Sequence, residues 1–336
     1  MKAHSRHLPA VLLILVLAPV TAEYLIGYDD TVGKPAALLF GVLFFAPLYG
    51  APAVLIREVA RRRGLGWPTI LVLATAFGLI EAGLIDQSLF DPDYREIPYW
   101  QAMRAPTYLP WFGMSAYMAL IFVAGHVFGS IAAPIALAES WWPARRDEPW
   151  LGPVGLVVVA LMWAAGAAFI LQDQLSGTSF RVSAGQVAGT VVVVVALIAA
   201  AVTLKRPAPS SGRAPVPWVV AVVTAVLLTV RSIVPTSWWA TILALAAIVV
   251  WLVLMRRWSR RSGWGGVHVL AAAVGVLLSI GGPAFTTTPL GDVPLAAKLA
   301  TNVVLLALVL AVAAVGYRRI SAATASARPA SASPRR

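Results

Sequence analysis

Apolar residues arrive in this chain as blocks, each closed by a short polar or basic break, at about 8–27, 35–57, 66–90, 113–138, 151–171, 187–204, 217–234, 237–255, 266–284 and 297–317. A helix rises about 1.5 Å per residue, so each block is close to the roughly 20 residues that carry a helix across the roughly 30 Å hydrocarbon core of a bilayer. Hydrocarbon offers no partner to a backbone N–H or C=O. A segment crossing it must bond within itself, which an α-helix does. The blocks therefore specify an all-α, polytopic transmembrane helix bundle of about ten spans. Composition agrees: 60% of the 336 residues are hydrophobic and 12% are charged, with a mean hydropathy of +0.81, against roughly a quarter charged in soluble domains. No connection is long enough for a soluble catalytic domain.

Lysine and arginine in the short connections orient the bundle. One set of loops holds Lys2, Arg6, Arg57, Arg61, Arg62, Arg63, Arg145, Arg146, Lys205, Arg206, Arg213, Arg256, Arg257, Arg260, Arg261, Arg318 and Arg319. The other holds Lys34, Arg95, Arg104, Arg181, Arg231 and Lys298, several of them beside acids. The alternation holds at every crossing and puts both termini in the cytoplasm, as expected of a multi-pass protein of a bacterial cytoplasmic membrane. The formal net charge of +12 is thereby spread along cytoplasmic loops beside anionic lipid, an orientation signal and not a nucleic-acid footprint. Membrane lipid is the partner this implies. The start, "MKAHSRHLPAVLLILVLAPVTAEY", is basic then apolar and has a Val20-Thr21-Ala22 ending like a signal-peptidase site. Apolar character nevertheless continues through Ile26 to the turn at Gly27, making a full span.

The first five spans carry almost all the intramembrane polar residues, whereas the last five are largely Ala, Val and Leu. The second half shows no echo of the first, unlike carriers built from two inverted repeats. The expected organisation is an N-terminal bundle of about six spans over 1–204 and a flexible cytoplasmic linker at 205–217, "KRPAPSSGRAPVP". A C-terminal apolar bundle of about four spans over 218–319 follows, then a disordered tail at 320–336. The chain has no cysteine, which excludes disulfides, thiol catalysis and cysteine-ligated metal. It has no His-Glu-x-x-His helix, no Walker A sequence and no dinucleotide fingerprint, so neither a metal nor a cofactor is expected.

Chemistry is left to the polar residues inside the spans. Glu81 falls slightly past the middle of the third block counted from Gly66, and His126 falls almost at the middle of the fourth counted from Gly113. The two lie at similar depth on consecutive antiparallel helices. An ionisable group at that depth costs about 2.5–3.5 kcal/mol on insertion scales and is expected to find a partner in the bundle interior. Glycines 78, 83, 125 and 129 flank the two and let backbones approach. A buried carboxylate beside an imidazole has the makings of a general base; it is equally a means of fixing helix packing. Glu23, Asp86, Asp173 and Arg231 lie toward the outer face and form a candidate vestibule, the alternative being that they simply reach interfacial water. The segment 91–112, with Tyr94, Tyr99, Trp100, Tyr108 and Trp111, is expected to cap the outer side, either as an aromatic belt or as a lid.

Glu81-Ala82-Gly83-Leu84-Ile85-Asp86 and Phe122-Val123-Ala124-Gly125-His126 resemble the first two motifs of the CAAX-protease and bacteriocin-processing (CPBP) family, a Glu-Glu-x-x-x-Arg helix and a Phe-x-x-x-His helix. That family consists of intramembrane proteases, and the resemblance implies that Glu81 is a catalytic base activating water and His126 its partner or an oxyanion stabiliser. The likeness is partial. Ala82 stands at the second Glu, Asp86 at the Arg, and no third motif follows: His268 precedes Ala272 by four residues, and Asn302 stands alone. "LIREVARRRGLGWPTI" and "SLFDPDY" also resemble a type of uncharacterised actinobacterial multi-pass membrane protein, which implies no activity. Three functions compete: a glutamate-dependent hydrolase or its non-catalytic relative; a transporter or proton-coupled permease with an outward-opening vestibule; and a scaffold that binds a membrane protein or peptide partner. The topology has a direct test. Alkaline phosphatase fused near Pro98 should be active and phosphatase fused near Arg213 silent, and the reverse pattern would invert the bundle.

Overall fold

The structure is a computed structural model and describes residues 7–204 and 208–326. Ten apolar helices match the ten blocks: α1 Leu8–Tyr24, α2 Pro35–Arg62, α3 Trp67–Ile85, α4 Ala116–Trp141, α5 Pro153–Gly177, α6 Ala184–Thr203, α7 Pro217–Ile233, α8 Trp238–Trp258, α9 Gly266–Phe285 and α10 Leu295–Ser326. Eight are long and apolar enough to cross a membrane, while α1 and α7 are shorter. Local sequence sets their starts. Pro35, Pro153 and Pro217 open α2, α5 and α7, a position where the missing proline N–H costs nothing. Ser183 and Gln186 close a reciprocal capping box on α6.

Helix α1 is central, with Ile14 and Ala18 fully buried. Close approach there depends on Gly50 of α2, where a Cβ would lie 2.7 Å from Leu15 Cα. Helices α3 and α4 are largely enclosed, whereas α5 and α6 expose nearly their whole length on the outside. On the other flank α7 packs on α9 at Gly275, where a Cβ would come 2.5 Å from the Ala221 carbonyl.

The connections sort to two ends. At the end carrying the arginines, Arg145 Nη1 lies 3.0 Å from His7 Nε2, and Arg319 donates to the Trp141 carbonyl at 3.1 Å. At the opposite end Leu290 N donates to Tyr28 O, Gly33 N donates to Thr301 Oγ1, and Arg95 pairs with Asp29. The segment read as a linker runs beside the turn after α8: Ser210 N donates to Arg260 O at 2.8 Å and Ala214 N to Ser262 O at 2.9 Å. Helix α10 continues through Ser326, so residues 320–326 of the expected disordered tail are helical. The rest of that tail, the leader with Lys2, His4 and Arg6, and Lys205 and Arg206 lie outside the described residues.

The arginine-bearing ends of α2 and α4 are tied by a buried ion-pair network that composition alone reads as loop charge. Glu139 accepts from Arg61 Nε and Nη2 at 2.8 and 2.7 Å, and from Arg57 Nε at 3.2 Å. Glu58 accepts from Arg57 Nη1 at 2.8 Å and from the Trp150 and Leu151 amides at 2.7 and 3.2 Å. Arg57 lies 3.5 Å over the Trp150 ring. Arg57 and Glu58 are fully buried, so each charge depends on its partners. Removing one member leaves the others buried and uncompensated. Glu139→Gln should therefore destabilise by on the order of 3–5 kcal/mol, read as a lowered unfolding midpoint in detergent micelles.

Candidate functional site

Four helices of the first half widen for about one turn into π-helix: Val20–Tyr24 in α1, Ala46–Gly50 in α2, Glu81–Ile85 in α3 and His126–Ala132 in α4. Proline accounts for three of the four. Pro19 precedes the first, Pro47 lies within the second and Pro134 follows the fourth. Each removes an N–H and crowds the preceding turn, which the helix relieves by widening. In α4 the Ala133 amide reaches Phe128 O, so the next carbonyl, Gly129 O, would be served by residue 134, which has no N–H. Thr21 Oγ1 from α1 donates to Gly129 O instead, at 2.7 Å. The proline thus frees an acceptor, and the acceptor locks two helices together.

Each widened turn carries a polar side chain, and π-turns of this kind recur at functional sites. Glu81 and His126 meet: Nε2 of His126 lies 2.7 Å from Oε2 of Glu81. Glu81 is buried and His126 nearly so, at 14% side-chain exposure. On the other side of the ring, Nδ1 lies 3.2 Å from Ser130 Oγ. A serine hydroxyl that donates to Nδ1 leaves the ring proton on Nε2, on the side of the carboxylate. Tyr49 stacks on the imidazole at 5.9 Å and Phe77 meets it edge-on at 5.6 Å. Oε2 of Glu81 is buried and makes no hydrogen bond beyond this approach of His126.

Glu23 from α1 accepts from the Tyr49 hydroxyl at 2.5 Å and from the Tyr28 hydroxyl at 3.3 Å. Asp86, just past the end of α3, accepts from the Ser88 amide at 2.9 Å and from the Tyr94 hydroxyl at 3.3 Å. Tyr94 belongs to the outer cap. Burial pushes its phenol well above the usual range, so it stays a donor to Asp86 at any physiological pH. The cap is held down further by Trp100, which donates from Nε1 to Asp91 O at 3.0 Å and stacks on Phe122. It also presents Trp111, 93% exposed, at the tip of a small hairpin, β1 Tyr108–Leu109 and β2 Met114–Ser115. Within 91–112, Trp100 is thus buried against the bundle while Trp111 is exposed.

The remaining vestibule residues do not join this cluster. Asp173 is exposed on α5, and its neighbour Gln174 is the residue that reaches inward, donating to Asp91 at 2.8 Å. Arg231 is buried at the end of α7, donating to Leu228 O at 2.5 Å, with Tyr117 bonded to its carbonyl. The depth rule groups residues by distance along a helix and carries no azimuth, so it gathered side chains that point in different directions. It also passed over Tyr49 and Ser130. Ser130 was within reach, because His126 and Ser130 are four residues apart on one helix face. Asn302 and Lys298 have structural work: one turn apart on α10, they donate to Ala284 O and Phe285 O at 3.0 Å each and close the end of α9. His268 caps the start of α9, accepting from Gly265 N. Among the described residues no group of three His, Asp or Glu side chains stands close enough to hold a metal ion.

A family model described as "Uncharacterized membrane protein family" matches residues 12–325. No curated protein and no solved structure matches the chain. The match supports the membrane reading and lends nothing to the likeness to intramembrane proteases.

The pair can be weighed by stability alone. Glu81→Leu strands His126 Nε2 in the interior and should destabilise by about 1–3 kcal/mol. His126→Leu added to it should recover part of that loss, a non-additivity that a double-mutant cycle in detergent reads directly.

Proposed function

The chain belongs to this uncharacterized membrane protein family, and from the geometry of its first half we propose that it is a glutamate-dependent intramembrane hydrolase with Glu81 and His126 as its acid–base centre. One observation carries the reading: the 2.7 Å approach of a buried carboxylate to a buried imidazole, each on a widened turn. Oε1 of Glu81 takes a proton from water as the water oxygen bonds to the carbonyl carbon of an ester or amide. The Nε2–H of His126, on Oε2 of the same carboxylate, holds the group in place and steadies its charge, while Ser130 keeps the ring in the matching tautomer. When the tetrahedral adduct collapses, the bond to the leaving oxygen or nitrogen breaks. Glu81 returns its proton to that atom, leaving a carboxylic acid and an alcohol or amine. The partial likeness to the CPBP motifs at the same two residues supports the assignment.

A second reading, proton-coupled transport, draws on Glu23 and Asp86, whose tyrosine partners extend the polar cluster toward the outer cap. Against it stands the other end of the same helices, where Arg57, Glu58, Arg61 and Glu139 are paired with one another.

The test compares wild type, Glu81→Gln and His126→Ala at matched levels of folded protein, with mass spectrometry of the membrane lipids and peptides. A positioned general base contributes typically 10²–10⁴-fold, so Glu81→Gln should cut product formation by at least about a hundredfold. Undiminished product from Glu81→Gln overturns the hydrolase. Proton flux into proteoliposomes that vanishes in Glu81→Gln without any cleavage product moves the assignment to transport.

A further inference from the structure

Arg231 is buried, at 6% exposure, two residues before the end of α7 and on the side of the bundle opposite the arginine-rich loops. Its Nη1 donates to Leu228 O. Nε and Nη2 find no acceptor among the described residues, yet neither is sealed from the surface. No carboxylate among the described residues answers the charge, and the titratable side chain within electrostatic reach is Tyr117 of α4. Other arginines of the chain are paired: Arg57 with Glu58, Arg61 with Glu139 and Arg95 with Asp29. Lys298 is also buried and has Phe285 O as its acceptor. An ammonium can shed its proton when buried, however, and a guanidinium cannot.

A permanent charge buried in a membrane-spanning helix is costly unless something of opposite sign meets it. The free carbonyls in the last turn of α7 supply about half an elementary charge, so about half of the guanidinium charge is unanswered. Its remaining donors stand in a planar fork that matches a carboxylate or a phosphate with two parallel bonds. Depth chooses between them. Leu228 and Ile233 are five residues apart, so the guanidinium lies within about 8 Å of the end of α7 along its axis. Trp238 and Trp239 open α8 just beyond, 47% and 61% exposed, and tryptophans exposed on a membrane helix mark the headgroup level. The bilayer's own anion at that level is the phosphate of its lipids.

We propose that Arg231 anchors a phosphate site, occupied by the headgroup of an anionic phospholipid where the end of α7 meets the start of α4. Tyr117 fixes the frame: its hydroxyl donates to the Arg231 carbonyl at 3.3 Å, and its ring is buried with Ile97, Trp100 and Met118. A lipid held there ties α7 to α4 and to the outer cap. The site is independent of Glu81 and of the hydrolase. It also makes opposite demands on Arg231 with and without lipid. Leucine at this position removes a charge that is costly while unanswered, and it removes the group that the lipid needs.

Delipidated full-length protein in neutral detergent is melted alone, with phosphatidylglycerol and with inorganic phosphate, as wild type, Arg231→Leu and Arg231→Lys. Wild type should gain about 3 °C or more from saturating phosphatidylglycerol. Arg231→Leu should melt above wild type without lipid, lose most of the lipid gain, and retain several-fold less phosphatidylglycerol in native mass spectrometry. Arg231→Lys, which keeps the charge but not the fork, should retain part of the gain. An Arg231→Leu protein that melts below wild type without lipid, or does not fold, means that the guanidinium is already satisfied within the protein, and overturns the site. An equal lipid gain in Arg231→Leu and wild type overturns it too. Protection by inorganic phosphate equal to that by phosphatidylglycerol, and absent from Arg231→Leu, supports the phosphate site and overturns the lipid as its occupant.

Discussion

In hydrocarbon a polar group that is not paired inside the protein is paired with nothing, and the first half of this bundle is organised by that rule. Proline introduced into α1, α2 and α4 removes backbone donors, and the helices answer by widening into π-turns. The carbonyl stranded by Pro134, Gly129 O, is met by Thr21 from another helix. The same widened turns carry Glu23, Tyr49, Glu81 and His126. A defect in the backbone and a polar side chain thus occur together four times, and each polar side chain finds a neighbour from a different helix or from the cap.

The two ends of the bundle treat charge in opposite ways. At the arginine-bearing end Arg57, Arg61, Glu58 and Glu139 bond one another and the backbone, with Trp150 laid over Arg57. Such a network fixes geometry and has little left for a ligand. Toward the outer end Glu23 is met by tyrosine, Asp86 by tyrosine and a backbone amide, and Glu81 by an imidazole. Tyrosine hydroxyls link two of these acids to neighbouring segments, and chemistry is assigned to that end. The cap residues Tyr94 and Trp100 bind the outer loop to the bundle through hydrogen bonds to Asp86 and Asp91 and through an apolar cluster with Ile97, Tyr117, Met118 and Phe122.

Several parts of the candidate site were legible before any coordinates. Glu81 and His126 share a depth because both stand near the middle of consecutive apolar blocks, and antiparallel helices bring equal depths together. His126 and Ser130 share a face because they are four residues apart. Asp173 and Arg231 share the depth of Asp86 but not its direction, and a linear count has no term for direction. Arg57 and Arg61 count as loop charges, since a sequence does not distinguish an arginine that ends in solvent from one buried against Glu58 and Glu139.

The sequence by itself determined the class and the span pattern, because the length and apolarity of each block are properties of the local chain and the bilayer acts on each block separately. It also determined where the helices must yield, at Pro19, Pro47 and Pro134, since a missing N–H is a local fact. Tertiary structure alone decided which helices meet across those places: Thr21 on Gly129, Tyr49 against His126. Those contacts depend on azimuth and on close backbone approach at Gly50, Gly78 and Gly275, and both are set by the packing of all ten helices at once.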